Sequence, residues 1–215
     1  MYENVCVVIV HYRTPDLLDI AVESLRKHYP NVSLLIVDNE PDDRSREKSE
    51  KLVAQHPSCT RLLTIEKNIY HGPGMHQAIA AINHDFVFFL DSDTETKTGG
   101  FLEGMLSRFD TQKVYGVGRI DTVNKRGFHS ADGTPIVLSP FMMLRRKSYF
   151  MFPPFEHHGM PTFKNFFAAQ QQGYELKNFP IDTYISHTGR GTASRYGYGL
   201  GVRGKIEYVL NKFGL

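Results

Sequence analysis

No run of apolar residues in this sequence is long enough to cross a membrane; the first, residues 5–10, falls far short of the roughly 20 that a spanning helix needs. It also lacks the cleavage region of a secretion signal, so it reads as a buried strand. Cysteine is scarce. Cys6 and Cys59 stand too far apart for a metal-binding pair and are too few for a disulfide framework, which makes a reducing cytoplasm the expected compartment. An excess of one charge sign is missing as well. The 25 Lys and Arg residues are interleaved with 23 Asp and Glu, so a large nucleic-acid footprint is not expected. There is no internal repeat and no long linker, and 41% of the 215 residues are hydrophobic, which excludes disorder and predicts one domain over residues 1–215 with a sizeable core.

What is present is an alternation of short apolar runs with amphipathic stretches, the pattern of βα units feeding a parallel sheet. Residues 5–10 form the first strand. Thr14 and Pro15 then open a helix whose stripe is Leu17, Leu18, Ala21 and Leu25, ended by Tyr29-Pro30. Strands follow at 33–37 and 61–65, with a charged helix at 42–56 between them. A turn with Gly72-Pro73-Gly74 leads into a small-residue helix through Ala81, and residues 86–90 make the most apolar strand. After a helix at 99–109 the pattern shifts to strands at 114–120 and 136–144, read as antiparallel elements capping the sheet edge. A helix at 161–172, a strand at 184–187, a glycine-rich loop at 189–201 and a helix at 203–213 complete the chain.

In an open α/β sheet, ligands sit beyond the carboxyl ends of the strands, where loops and helix N-termini present free N–H groups. The polar residues that end strands are therefore the informative ones: His11-Tyr12, Asp38-Asn39, residues 68–74 and Asp91-Ser92-Asp93. An Asp-x-Asp triplet alone is common by chance. Here it leaves a strand reading Phe-Val-Phe-Phe-Leu, and two carboxylates in such a setting need something positive beside them, such as a divalent cation bridging to a diphosphate.

Taken together, Val-Ile-Val-His-Tyr-Arg-Thr-Pro at residues 8–15, Val37-Asp38-Asn39, the segment 68–79 and Phe88-Phe89-Leu90-Asp91-Ser92-Asp93 resemble the family-two glycosyltransferases of the GT-A fold. The segment 68–79 lies without gaps over that family's Asn-x-Gly-Phe-x-Gly-Gly-Asn-Asn-x-Gly-Ile pattern. The likeness implies an α/β fold with a mostly parallel central sheet flanked by helices. Residues 1–95 would be a Rossmann-like nucleotide-binding half, and residues 96–215 a smaller antiparallel acceptor side with a closing C-terminal segment.

It further implies transfer of a hexosyl group from a nucleotide-diphosphate sugar, a UDP-sugar favoured, with Mn2+ or Mg2+ as the cation. Tyr12 would wall the base pocket, and Asp38 would accept from base or ribose. Asn68, Gly72 and Gly74 would shape the donor site. Asp91 would face ribose or metal, and Asp93 and His187 would ligate the metal. Arg190 and Thr192 would contact phosphate, in a loop whose closure excludes water. His71 and His76 carry a weaker signal.

One departure from the family matters. Inverting members carry a Glu-Asp pair at the start of a late helix, and that place falls near Pro161-Thr162, where there is no carboxylate. Glu156, His157 and His158 lie just upstream and are the candidates for accepting the acceptor's proton. Alternatively, the leaving diphosphate takes the proton in a retaining reaction. The acceptor is an unidentified glycan, lipid or small molecule, and surface contact with a membrane stays open. A non-catalytic nucleotide- or carbohydrate-binding protein is the second reading. A sugar-nucleotide pyrophosphorylase is the third, disfavoured because His11-Tyr12-Arg13-Thr14-Pro15 is unlike a glycine-rich nucleotide loop.

Overall fold

The computed structural model describes residues 2–188, 192–197 and 200–212. Its first half is β1 (Val5–His11), α1 (Pro15–His28), β2 (Ser33–Asn39), α2 (Asp43–Gln55), β3 (Thr60–Ile65), α3 (His71–Ala81) and β4 (Phe86–Leu90). Then come β5 (Thr94–Thr96), α4 (Phe101–Leu106), β6 (Val114–Val123), β7 (Thr134–Arg145), α5 (Arg146–Tyr149), α6 (Phe163–Gln171) and β8 (Glu175–Asn178). A 3-10 turn at Ile181–Thr183, β9 (Ile185–His187), α7 (Thr192–Tyr196) and α8 (Gly201–Lys212) follow.

The central sheet has seven strands in the order β3-β2-β1-β4-β7-β6-β8. All its strands run one way except β7, which is antiparallel to both β4 and β6. The antiparallel strands expected in the second half thus exist but continue the main sheet. A separate two-stranded antiparallel sheet is formed by β5 and β9.

Alternation along the strands builds two cores, one on each face. Val5, Val7 and Ile9 of β1 with Leu34 and Ile36 of β2 meet Leu18, Val22 and Leu25 of α1 and Phe101 and Met105 of α4. Cys6, Val8, Leu35 and Val37 point the other way, onto Met75, Ala78 and Ile79 of α3 and Phe166 and Ala169 of α6. Burial on both faces explains why these strands read as unbroken apolar runs. Among the described residues, no helix is long and apolar enough to cross a membrane.

Gly72-Pro73-Gly74, expected as a turn, lies in the first turn of α3. The N–H groups of a first turn have no intrahelical acceptor, so proline there costs no hydrogen bond. Gly72 is required for a different reason: a Cβ at this position would collide with the carbonyl of Glu156.

His11 ends β1 fully buried, with Nδ1 3.2 Å from the Thr14 hydroxyl and Nε2 without a partner among the described residues. Burial lowers its pKa from 6.5 to about 4, against the smaller opposing pull of Asp42 and Asp16. Between these two values the unfolded chain binds a proton that the folded chain refuses, so stability falls as pH drops through the window, by about 3 kcal/mol in total. His11→Gln removes the titration and should flatten that part of the curve. Urea unfolding between neutral and mildly acid pH tests it, and an unchanged slope in the variant would assign the acid sensitivity elsewhere.

Candidate active site at the carboxyl edge of the sheet

Three potential metal ligands converge where β4 ends. The Asp91 amide donates to the carbonyl of Pro140 at 3.3 Å, and the Thr94 hydroxyl donates to the Asp91 carbonyl at 2.7 Å, which fixes the turn. The chain then enters β5, against which β9 pairs with Thr94 opposite His187. The Thr188 amide and hydroxyl clamp the Asp93 carbonyl at 3.0 and 2.8 Å. This pairing carries His187 Nε2 to 3.0 Å from Asp93 Oδ1 and 3.9 Å from Asp91 Oδ2. One ligand atom from each of Asp91, Asp93 and His187 lies within 4.8 Å of the others.

The electrostatics fit a cation. Burial pushes the Asp91 carboxyl up from its ordinary value, His71 and His187 pull it down, and Asp93 pushes it up. His187 is raised, first by its hydrogen bond to Asp93, against desolvation, and then by the charges of Asp93 and Asp91. Two carboxylates and an imidazole, with Asp93 only 9% exposed, form a donor set suited to Mn2+ or Mg2+. His71, at the start of α3, places Nε2 3.8 Å from Asp91 Oδ1, so Asp91 stands between two imidazoles.

After β1, Tyr12 donates to Glu40 at 3.3 Å and stands edge-on to Tyr196, ring centroids 5.1 Å apart. Arg195 makes a two-pronged pair with Asp16 at 2.8 and 2.6 Å, and the Tyr196 hydroxyl donates to the Arg13 carbonyl at 3.3 Å. These contacts lay α7 over the loop after β1. Beside them lies a cleft of about 380 Å³ lined by Arg13, Asp16, Asp42, Arg44, Arg195 and Tyr196.

Asp38 has another occupation than the expected one. It is 1% exposed and accepts from the hydroxyls of Ser45 and Ser49 at 3.3 and 3.1 Å. Burial raises its pKa, and the two hydroxyls oppose the rise. It thereby fastens α2 to β2. Its neighbour Asn39 organises the next loop instead: its Nδ2 donates to Asn68 Oδ1 at 3.1 Å, and its Oδ1 accepts from the Ile69 amide at 3.1 Å. Asn68 in turn accepts from the Tyr70 amide at 2.7 Å. Gly74 packs against this group, and a Cβ there would meet Val10 Cγ1 at 3.1 Å.

In the loop before α6, Glu156 is paired with Lys164 at 2.8 Å, and Nδ1 of His158 accepts from the Met160 amide at 2.9 Å. His157 stacks on Tyr70 with centroids 3.6 Å apart and planes at 13°. Thr162, at the family's acidic position, is fully buried, and its hydroxyl has no partner among the described residues. Of the two phosphate candidates, Thr192 opens α7, while Arg190 lies outside the described residues.

Tyr70 was not singled out from the sequence, although a signal was there. It occupies the glycine position of the Asn-x-Gly-Phe pattern, and its backbone takes the conformation a glycine would, φ 69° and ψ 174°. For a residue with a side chain this costs about 1–3 kcal/mol. His71 and Asn39 were likewise under-read, because a lone histidine or asparagine carries no pattern of its own.

A doubly covered α/β sheet with a carboxylate pair and an imidazole beyond the end of its central strand has the architecture of the GT-A fold. The sequence profile of glycosyl transferase family 2 matches residues 6–170, and the chain belongs to that family. No curated protein matches it in sequence.

Among solved structures it is similar to the mannosyltransferase PcManGT from Pyrobaculum calidifontis, described in complex with GDP-Man and Mn2+, with 16% identity and a TM-score of 0.69 over 82% of this chain and 55% of that one. It is also similar to residues 1–349 of S. aureus TarS in complex with UDP-GlcNAc, with 17% identity and a TM-score of 0.63 over 96% of this chain and 66% of that one. GalNAc-T7 with UDP, GalNAc and Mn2+ gives 14% identity and a TM-score of 0.67 over 85% of this chain and 42% of that one. The chain thus spans less than two thirds of the length of each of these structures.

Proposed function

We propose that this chain transfers a hexosyl group from a nucleotide-diphosphate sugar to an acceptor hydroxyl, with Asp91, Asp93 and His187 holding a divalent cation. The observation that carries this reading is the convergence of those three side chains at the carboxyl end of β4. When bound, the cation supplies positive charge to the diphosphate leaving group. The protein's own parts follow from their positions. The cleft beside Arg13, Arg44 and Tyr196 has room for a nucleoside, α7 covers it, and Asn39 and Asn68 set the backbone of the loop leading to His71. Residues 1–95 hold most of the donor side. The acceptor approaches from the 153–161 loop, and it is a hydroxyl of a glycan, lipid or small molecule.

The test is thermal unfolding of the purified protein with UDP, GDP, CDP and dTDP, each with Mn2+ and with EDTA. A nucleotide that binds only the folded state raises the melting temperature. The expected result is a rise with one nucleotide that EDTA removes, with UDP tried first. A rise that survives EDTA would fit a metal-independent binding protein instead, and no rise with any nucleotide would end the donor-site reading.

A further inference from the structure

The donor-side loop before α3 and the loop at residues 153–161 touch through Tyr70 and His157. The strained backbone of Tyr70 is pinned at every polar atom: its amide donates to Asn68 Oδ1 at 2.7 Å, and its carbonyl accepts from the Gly74 amide at 3.0 Å and from Asn39 Nδ2 at 3.4 Å. Glycine would hold this conformation without cost, so the side chain is what the strain retains. That side chain, 40% exposed, has no core to fill and lies flat against the His157 ring. The same backbone turn delivers the next residue, His71, to Asp91.

The neighbours of His157 are otherwise engaged. Glu156 is neutralised by Lys164, and Nδ1 of His158 is taken by the Met160 amide. His157 is held by its ring face, and among the described residues neither of its nitrogens is hydrogen-bonded.

We propose that Tyr70 is a positioning residue that fixes the His157 imidazole at the acceptor side of the cleft, and that His157 takes the acceptor's proton. The proposal rests on the glycosyltransferase reading. In the step, the acceptor O–H gives its proton to an imidazole nitrogen and its oxygen bonds to the anomeric carbon. The bond from that carbon to the diphosphate oxygen breaks, and the nucleoside diphosphate leaves with the electron pair. Imidazole here takes the part of the carboxylate that the Pro161-Thr162 position lacks.

The experiment uses Tyr70→Gly, Tyr70→Phe, His157→Gln and the double variant Tyr70→Gly/His157→Gln. The probe is whichever of UDP-glucose, UDP-N-acetylglucosamine and GDP-mannose raises the melting temperature with Mn2+, and the reaction followed is its hydrolysis, water serving as acceptor. Tyr70→Gly should melt no lower than the parent and keep its KM, while kcat falls by about 10²-fold or more. Tyr70→Phe should keep the parent's kcat. His157→Gln should lose as much as Tyr70→Gly, and the double variant no more than either, because the two residues act as one unit.

In NMR spectra the His157 ring protons should be shifted upfield in the parent and in Tyr70→Phe, and lose that shift in Tyr70→Gly. Parent-like kcat in His157→Gln overturns the proton-accepting role, and parent-like kcat in Tyr70→Gly overturns the positioning role. If no sugar nucleotide binds the parent protein, the glycosyltransferase reading falls and the proton-accepting role falls with it; the ring-proton shifts still decide whether Tyr70 sets the His157 ring.

Discussion

Asp93→Ala should abolish the Mn2+-dependent rise in melting temperature expected on adding nucleoside diphosphate, while the protein without metal should melt close to its parent. The side chain is the most buried of the three converging ligands and the one nearest His187, so its loss removes the centre of the donor set. It belongs to the turn between β4 and β5 rather than to a strand or helix of the core. With nucleotide at about 100 times its dissociation constant, bound ligand contributes about 2.7 kcal/mol. For a chain of this length that corresponds to roughly 5–10 °C, all of which should vanish. His187→Ala leaves both carboxylates and should lose part of the shift. A full shift in Asp93→Ala would remove the metal assignment and leave the carboxylate pair without a role.

Arg26→Ala should cost the fold roughly 3–5 kcal/mol, read as a lower urea midpoint, although the residue does not line the cleft. Arg26 sits near the C-terminus of α1, 6% exposed. Its guanidinium donates to the carbonyls of Tyr29, Pro30, Val32 and Cys59 at 3.3, 3.2, 2.7 and 3.3 Å, and to the Thr60 hydroxyl at 2.8 Å. One side chain thus satisfies the end of a helix and the approaches to β2 and β3. Desolvation lowers its pKa, opposed by the nearby Cys59. Alanine would remove the donor to the Val32 carbonyl and the Thr60 hydroxyl and leave a void beside them. Arg26→Lys offers a single nitrogen where the fork serves five acceptors, so it should fall between the two. A loss below about 1 kcal/mol in Arg26→Ala would mean that water replaces the guanidinium.

The strands most plainly legible in the sequence, β1, β2 and β4, have side chains buried on both faces. Residues 86–90 stand between Asp85 and Asp91, and β4 has those bounds. By contrast, β5 is Thr-Glu-Thr and β8 is Glu-Leu-Lys-Asn, short and polar, held by pairing with segments far away in the chain. Nothing local distinguishes such strands from loops. The same holds for the entry of β6 and β7 into the main sheet, which is decided by long-range hydrogen bonding. A glycine-rich stretch read as a loop contains α7.

In the site, Asp91, Asp93 and His187 were legible because strand ends and family pattern pointed to the same positions, and the structure brings them together. The bonds from two serines of α2 to Asp38, one and two turns into the helix, could not be read from the sequence, because only the fold brings them near. The Tyr70 stack needed both the sequence, where a tyrosine replaces glycine, and the structure, where its partner is found.

The pairing of β9 with β5 joins Asp93 to Thr188, 95 positions later in the chain. Two carboxylates therefore precede in the chain, by more than 90 positions, the imidazole that completes their set, and only the pairing of β9 with β5 brings it to them. A nascent or truncated chain carrying the aspartates but not the docked β9 has two of the three converging side chains. On the proposed function, cation affinity would therefore report on the docking of β9, and a donor that depends on the cation would be admitted only by chains in which β9 has paired.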